Sequence, residues 1–468
     1  MSSSIKFAAA CALPLAWLLA GCASPSPDAG FDAIGQASRA RLGLDARVLR
    51  NDDDARALAA VVRQMLAQPL SADGAVQIAL LNNRRLQATY WSLGIAQADL
   101  AQAGRLHNPA LDFKRVQGGG AVGIERTLTF NLADALTLPM ASRLEAQRYA
   151  QTRLQVSDAM LALAFDTRRA YYEAVAAAQG VDYAGEVEAS AQAGAELAGR
   201  MRAAGNWSAL DLAREQAFSA QATADVIRAG RQAAATREQL TRLMGLDGGG
   251  AAGADSYTLP GRLLDLPAAP VELKEVEQRA LRERLDVEAA TLATRQTAAA
   301  LGLTHTSRFI NVLDLGAVSN SAAGAPGARG YELTLELPLF DWGTARVARA
   351  EAVYMQSLNR LADTATTARS EARAAHADYR ASWELARHYR DAVLPLRKQI
   401  SDETLLRYNG MLLSAFELLA DAREQAGAVN AYIVALKQYW IAQTNLEAAL
   451  GGRLSTAAAT PETMEQVK

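Results

Sequence analysis

The sequence predicts a mainly α protein with a small β part, and three observations carry that reading. Alanine supplies roughly one in five of the 468 residues and there are only 13 prolines, a mixture that suits long helices better than several compact α/β cores. Between Pro139 and Pro260 no proline interrupts a stretch dominated by Ala, Leu, Glu, Gln and Arg. Two short segments switch instead to strict alternation, each just ahead of a long helical stretch. Length alone would suggest roughly three domains at about 150 residues each; the composition argues against that division.

The N-terminus reads as a signal peptide over residues 1–21. Lys6 gives the positive start, Phe7 to Ala20 the short apolar core, and Leu19-Ala20-Gly21-Cys22 the small residues of a cleavage site. Those four residues match a bacterial lipobox, in which Cys22 becomes the acylated first residue of the mature chain. A plain secretory signal with a chance cysteine is the alternative. The one other cysteine, Cys11, lies in the removed segment, so no disulfide is expected, and stability must come from packing or oligomerisation. Ala23 stands where an Asp would signal inner-membrane retention, which points to the outer membrane. Palmitate or a similar acyl chain on Cys22 makes the chain anchored; whether it also spans is a separate question.

A formal net charge of −2 and a pI near 6.2 exert no general pull on polyanions, so nucleic acid is not an expected partner. Mean hydropathy is near zero, and the N-terminal apolar run is shorter than the roughly 20 residues of a spanning helix, which excludes a helical membrane domain.

Residues 22–70 form an N-terminal anchor segment, loose from Ser24 to about Gln68, with Asp52-Asp53-Asp54 as a solvated loop. Beyond it the chain repeats itself. Ala79 to Ala88 aligns without gaps on Ala280 to Ala289, both read as the starts of helices of about 35 residues. Leu128-Thr129-Phe130-Asn131-Leu132 parallels Leu333-Thr334-Leu335-Glu336-Leu337, and Ser208-Ala209-Leu210-Asp211-Leu212 parallels Ser414-Ala415-Phe416-Glu417-Leu418, with one extra residue between glycine and serine in the second copy. The first repeat covers residues 71–244, a loop-like linker rich in Gly, Ala and Pro covers 245–270, the second repeat covers 271–454, and 455–468 is a tail. Within each repeat a long helix (Pro139 to Ala204, Asp341 to Asn409) turns at Ala204-Gly205-Asn206 or Asn409-Gly410 into a return helix of about 40 residues. Pro395 is the expected kink in the second long helix.

The alternating segments are hairpins. Leu111 and Phe113 alternate with Asp112 and Lys114; past Gly118-Gly119-Gly120, Ile124, Leu128, Phe130 and Leu132 alternate with Glu125, Thr127, Thr129 and Asn131. In the second repeat Phe309, Leu313 and Leu315 share a face, and past a small-residue loop from Ser321 to Gly330 the series Tyr331, Leu333, Leu335, Leu337, Leu339 alternates with Glu332, Thr334 and Glu336. Strands of about 10 residues match a tilted transmembrane β-strand with an apolar outer face and a polar lumen face. A water-soluble hairpin with one buried face would show the same alternation. Four strands cannot close around a lumen, and an open edge cannot sit in lipid, so spanning would require oligomerisation.

From about Ser71 to Leu454 the chain resembles the TolC family of outer-membrane efflux tunnels, or outer membrane factors. The resemblance rests on the duplicated layout, the hairpin placement, the junction Leu337-Pro338-Leu339-Phe340-Asp341-Trp342-Gly343, and the turn segments Gly205 to Gln216 and Arg407 to Gln425. The first copy departs at its junction, Leu132-Ala133-Asp134-Ala135-Leu136. The resemblance implies a homotrimer in which each protomer gives four strands to one twelve-stranded barrel, continued by an α-barrel of long helical hairpins. It implies a passive exit duct in outer-membrane lipid, docked to a periplasmic adaptor (membrane fusion) protein and an inner-membrane efflux pump. By motif position it implies Glu417 at a pore constriction, with the second acid of the pattern falling at Ala420 beside Asp421. Gly205, Ser208, Asp211, Gly410 and Ser414 fall at the hairpin tips or an adaptor contact, and Trp342 in an aromatic belt at the membrane interface. The plainer reading of Glu417 and Asp211 is that of first-turn helix acids, stabilised by about 0.3–1 kcal/mol at the helix N-terminus.

No enzyme is expected. His107, His305, His376 and His388 are scattered without ligand-like partners, and the triple glycines lack the lysine and strand-to-helix context of a phosphate loop. No metal and no cofactor are implied beyond the covalent lipid on Cys22. The competing non-enzymatic reading is a periplasmic coiled-coil scaffold or adaptor lipoprotein held only by Cys22, which would have no use for four lipid-length strands.

Overall fold

A computed structural model of the chain describes residues 28, 30–118, 121–246, 257–307, 312–322, 326–336 and 339–454. The expectations for the signal segment, Cys11, Cys22, Gly119, Gly120, Gly248 to Gly250, Phe309, Leu337, Pro338 and the tail lie outside the described residues. The elements are α1 (Phe31–Leu42), α2 (Asp52–Leu66), α3 (Ala72–Asn82), α4 (Arg84–Ala103), β1 (Ala110–Gly118), β2 (Ala121–Asn131), α5 (Leu132–Ala203) and α6 (Ala209–Leu243). They continue with α7 (Val276–Glu283), α8 (Leu285–Ser307), β3 (Leu313–Ala322), β4 (Ala328–Leu335), α9 (Thr344–His388), a π-helical turn (Tyr389–Val393), α10 (Leu394–Asn409) and α11 (Ala415–Ala449). The chain is mainly α with one four-stranded antiparallel sheet, and the order helix pair, hairpin, long helix, return helix occurs twice.

Several sequence expectations are corrected. The acidic run Asp52-Asp53-Asp54 is not a loop but the first turn of α2: Asn51 caps it by accepting the Asp54 N–H at 2.8 Å, and carboxylates there complement the exposed N–H groups. Leu132 is not a strand residue. Asn131 accepts the Asp134 N–H at 2.7 Å and starts α5 immediately after β2, so this 72-residue helix begins before Pro139 and carries that proline inside its second turn. In the second repeat β3 runs on to Ala322 and β4 begins at Ala328, so the loop is shorter than expected and Leu339 lies past the strand end. Pro395 sits in the first turn of α10, just after the π turn; widening the helix by one residue there accommodates a residue that lacks an N–H and crowds the preceding turn.

Two compact units arise from the chain. The first holds the described residues up to Ala33, with Tyr90–Val156 and Asp286–Thr364. It contains the sheet, and its helices α8 and α9 are joined where Thr297 and Ser357 hydroxyls meet at 2.7 Å and Thr294 donates to the Ser357 carbonyl at 3.2 Å. The second holds Ile34–Thr89, Ser157–Leu285 and the described residues from Ala365. Its core clusters Tyr171, Tyr172, Tyr379, Trp383, Tyr439, Leu446 and Leu450, with Trp440 stacked on Tyr172 at 5.4 Å.

The described part of the linker belongs to that core. From Tyr257 to Val271 it is irregular, yet Tyr257, Leu263 and Leu266 are buried, and its backbone groups are taken up by side chains of the long helices. Trp440 donates to the Leu264 carbonyl at 3.0 Å and Trp383 to the Pro267 carbonyl at 3.1 Å, while Tyr379 accepts the Val271 N–H at 2.9 Å. These bonds satisfy a non-helical backbone that would otherwise carry unpaired polar groups.

The duplication is clear in two glycines. Gly245 (φ +70°) and Gly451 (φ +79°) end α6 and α11 in left-handed geometry. A Cβ on Gly245 would stand 2.6 Å from the Asn82 carbonyl oxygen, and one on Gly451 2.7 Å from that of Glu283. Asn82 and Glu283 are aligned positions of the two repeats, so the same backbone approach is built twice where only glycine fits.

Candidate functional site

The sheet has the order β1-β2-β3-β4, with the two hairpins joined through β2 and β3. Its paired register runs without a bulge, so parity assigns each side chain to a face. Leu111 pairs with Leu128, Phe130 with Leu315, Leu315 with Leu333 and Leu313 with Leu335; all share one face. Asp112 pairs with Thr127, Lys114 with Glu125, Thr129 with Gly316 and Asp314 with Thr334, all on the other.

Both faces are largely exposed, and the two buried strand residues among those described lie on the polar face. On the apolar face Tyr331 is 86% and Leu111 71% exposed, whereas on the polar face Thr127 and Gly316 are buried. The polar face is close-packed at its centre: a Cβ on Gly316 would touch Thr127 Cγ2 at 3.3 Å and Glu332 Cβ at 3.4 Å. Among the described residues the outer edges of β1 and β4 have no partner strand. Past β4, Leu339, Phe340 and Trp342 are also exposed, with Phe340 almost fully so. Among the described residues no helix is long and apolar enough to cross a membrane.

The helical turns form the second candidate region. Asn206 N–H bonds the Met201 carbonyl at 3.0 Å around Gly205 (φ +79°), and Leu412 N–H bonds the Arg407 carbonyl at 2.8 Å around Met411 (φ +59°). The left-handed residue of the second turn is therefore Met411, while Gly410 has φ −78°. Counted from that residue, Ser208 and Ser414 both stand at the third position, and the apparent extra residue of the second copy disappears. Met411 is a non-glycine in a region that disfavours side chains.

Ser208 and Ser414 cap α6 and α11. The Ser208 hydroxyl donates to Asp211 at 2.6 Å, and Arg214 stands 3.5 Å from the Asp211 carboxylate. Around Ser414 a full capping box forms: its N–H and its hydroxyl each donate to Glu417 Oε2 at 2.9 Å, and the Glu417 N–H donates back at 3.3 Å. Those bonds, the backbone one foremost, hold the Glu417 carboxyl below the usual glutamate range. Each serine is thus brought together with the acid of its own turn, and Glu417 remains exposed to solvent.

Sequence reasoning missed what joins the two turns. Trp207 and Ala198 pack with Ala415, Phe416 and Leu419, and the Trp207 and Phe416 rings meet edge-on at 6.5 Å. Deeper in, Glu215 of α6 is 1% exposed and pairs with Arg423 of α11, whose guanidinium also lies 4.8 Å from the Phe218 ring centre. Asp421 Oδ2 and Arg423 Nε are buried there without a hydrogen-bond partner. Glu215 and Arg423 both lie in the turn segments that carry the family resemblance, but a single Glu or Arg among many gives no sequence signal that it is buried. Among the described residues no group of His, Cys, Asp and Glu is arranged to hold a metal ion.

Neither a protein-family model nor a curated protein sequence matches the chain significantly. Solved structures do. A membrane protein from Pseudomonas aeruginosa shares 22% identity at a TM-score of 0.70, over 81% of this chain and 92% of that one. The CmeC outer membrane channel of Campylobacter jejuni shares 16% at 0.68, over 81% and 85%. The open state of the Neisseria gonorrhoeae MtrE outer membrane channel shares 21% at 0.64, over 84% and 89%. The fold is that of the TolC-type outer-membrane channels.

Proposed function

We propose that the chain is the passive exit duct of a tripartite efflux system in the bacterial outer membrane. The carrying observation is the sheet: apolar side chains left exposed on one face, polar and acidic ones gathered on the other, and two edges without a partner strand among the described residues. An edge in lipid costs several kcal/mol per unpaired backbone group, so copies of the chain must supply the missing strands. Three copies with four strands each close a twelve-stranded barrel, and the long helical hairpins of the two repeats form an α-barrel. A periplasmic adaptor and an inner-membrane pump dock at the helical turns, where Gly205, Ser208, Asp211, Gly410 and Ser414 are the contact candidates. Trp342 lies at the periplasmic membrane interface.

The test is extraction and conductance. The protein should leave membranes only in detergent, run as a heat-sensitive trimer, and open channels in planar bilayers. Extraction as a monomer in aqueous buffer, with no conductance, would instead assign it to a scaffold anchored by Cys22.

The anchor gives its own prediction. Radiolabelled palmitate should enter the native chain and be absent from Cys22→Ser, while the variant still reaches the outer membrane through its barrel. Label retained in the variant would refute the lipobox.

Glu417 gives another. Three copies bring three carboxylates to one narrow mouth, where they attract cations. Glutamine at this position keeps the capping box but removes the charge, so Glu417→Gln should weaken cation selectivity and trivalent-cation block in single-channel recordings without lowering trimer stability. Unchanged selectivity and block would leave Glu417 a capping residue only.

A further inference from the structure

The apolar face of the sheet carries charge of one sign only. Parity places Arg115, Arg126 and Arg329 on it, and none of the described strand residues on that face is Asp or Glu. The strand acids Asp112, Glu125, Asp314 and Glu332 all point to the opposite face, with Lys114. A soluble surface intersperses both signs; this one separates them across the thickness of the sheet.

The arginines are also grouped. Arg126 pairs with Ser319, which pairs with Arg329, so those two stand two strand spacings apart, about 9.6 Å. Arg115 pairs with Ile124, two positions from Arg126 on the same face. All three are exposed, and none forms an ion pair with a described carboxylate. Arg126 lies along the sheet instead, 5.7 Å from the Phe113 ring centre and 3.4 Å from the Ser321 hydroxyl.

Their level is distinctive. They sit at the end of the sheet that carries the β1-β2 and β3-β4 connections, away from the ends that join helices. Immediately on the helix side come Leu111, Leu128, Ala317 and Tyr331, then Phe130, Leu315 and Leu333, then Leu313 and Leu335. An arginine at the bilayer midplane costs about 2–4 kcal/mol but about 0–1 near an interface, so a cluster of three marks a boundary. Tyr331, the most exposed apolar-face residue beside Arg329, is a side chain typical of that boundary.

We propose that Arg115, Arg126 and Arg329 form a docking site for the phosphate groups of outer-leaflet lipid, with doubly phosphorylated lipid A as the occupant. Charge complementarity selects it: three acid-free guanidinium groups at headgroup level, each able to fork two hydrogen bonds onto a phosphate, directly above a surface for acyl chains. The site rests on the exit-duct reading, which sets the turn end of the sheet at the cell exterior.

The test uses full-length trimer purified in mild detergent and incubated with diphosphoryl lipid A, bound lipid being counted by native mass spectrometry alongside planar-bilayer conductance. The triple variant Arg115→Gln, Arg126→Gln, Arg329→Gln should lose lipid A retention at least about tenfold and keep its conductance. Lys114→Gln, on the opposite face, should leave lipid A retention unchanged. Monophosphoryl lipid A should bind the native protein more weakly than the diphosphoryl form. If the triple variant does not assemble, the three single variants carry the comparison and each should lower retention. Native retention in the arginine variants, or equal loss in Lys114→Gln, overturns the site and leaves the duct standing. A native protein that forms no channel overturns both.

Discussion

Arg168→Met should cost about 3–5 kcal/mol, the loss that follows when one partner of a buried ion pair is removed. Arg168 and Glu447 side chains are only 7% and 6% exposed and meet at 2.7 Å, while the other guanidinium nitrogen reaches Asp73 at 2.7 Å. Arg453 also pairs with Asp73, and Leu454 N–H donates to Glu447 at 3.3 Å, so the network ties α3, α5, α11 and the segment that follows α11. Burial pushes the Glu447 carboxyl above the usual glutamate range, against the pull of Arg168. The sign then follows. A carboxyl whose folded pKa is raised contributes its full stability below the unfolded value of about 4.3 and loses it as pH rises through the folded pKa. Without Arg168 that folded pKa rises further, so the variant should lose less stability at pH 5 than at pH 8, and Glu447→Gln added to Arg168→Met should recover part of the loss at pH 8. Denaturant unfolding of the detergent-solubilised protein at both pH values makes the measurement. Equal losses at the two pH values would mean that Glu447 is not the group left uncompensated.

The residues at the ends of this network show what a sequence makes legible. The alignment of Ala79 to Ala88 with Ala280 to Ala289 is a local pattern, and it predicts that one segment occurs twice, although as a helix start and not as a helix break. The structure has breaks at Asn83 and Arg284, each followed at long range by a glycine pressed onto the preceding carbonyl. The strands were equally legible because alternation is a property of adjacent residues, and their two faces separate as Leu128 and Thr129 suggest. Boundaries were less so. Leu132 continues the alternating pattern of β2, and the local Asn131 cap, which that alternation masked, turns the chain into a helix there. The acids of α2 read as a loop because charge is conspicuous and a cap is not. Burial of charge was not legible at all. Glu215, Arg423, Arg168 and Glu447 lie hundreds of positions apart in pairs, in helices with dozens of similar residues, and become partners only once α5, α6 and α11 pack. Met411 was hidden for a related reason: the neighbouring Gly410 is the residue that sequence rules favour for a left-handed turn, yet the hydrogen bond from Leu412 to Arg407 fixes the turn one position later.

Leu333→Arg should prevent or sharply reduce trimer assembly, while its chain neighbour Thr334→Arg should not. Leu333 is 59% exposed on the apolar face and pairs with Leu315, itself paired with Phe130, in a row below the arginine level. If that face meets lipid, an arginine near the midplane costs about 2–4 kcal/mol in each copy. In the proposed trimer the cost is incurred three times, and each 1.4 kcal/mol is about a factor of ten in an equilibrium. Trimer yield should therefore fall by more than about tenfold. Thr334 lies on the polar face directly opposite Asp314, so an arginine there enters the water-facing side and gains a cross-strand carboxylate, an exchange worth roughly 0.2–1 kcal/mol in its favour. Both substitutions add the same side chain to the same strand, one residue apart, which removes β-propensity and net charge as explanations. The readout is heat-sensitive trimer on gels from isolated outer membranes, normalised to total chain. A soluble hairpin exposed to water on both faces would accept arginine at either position, and equal trimer yield from the two variants would remove the spanning barrel.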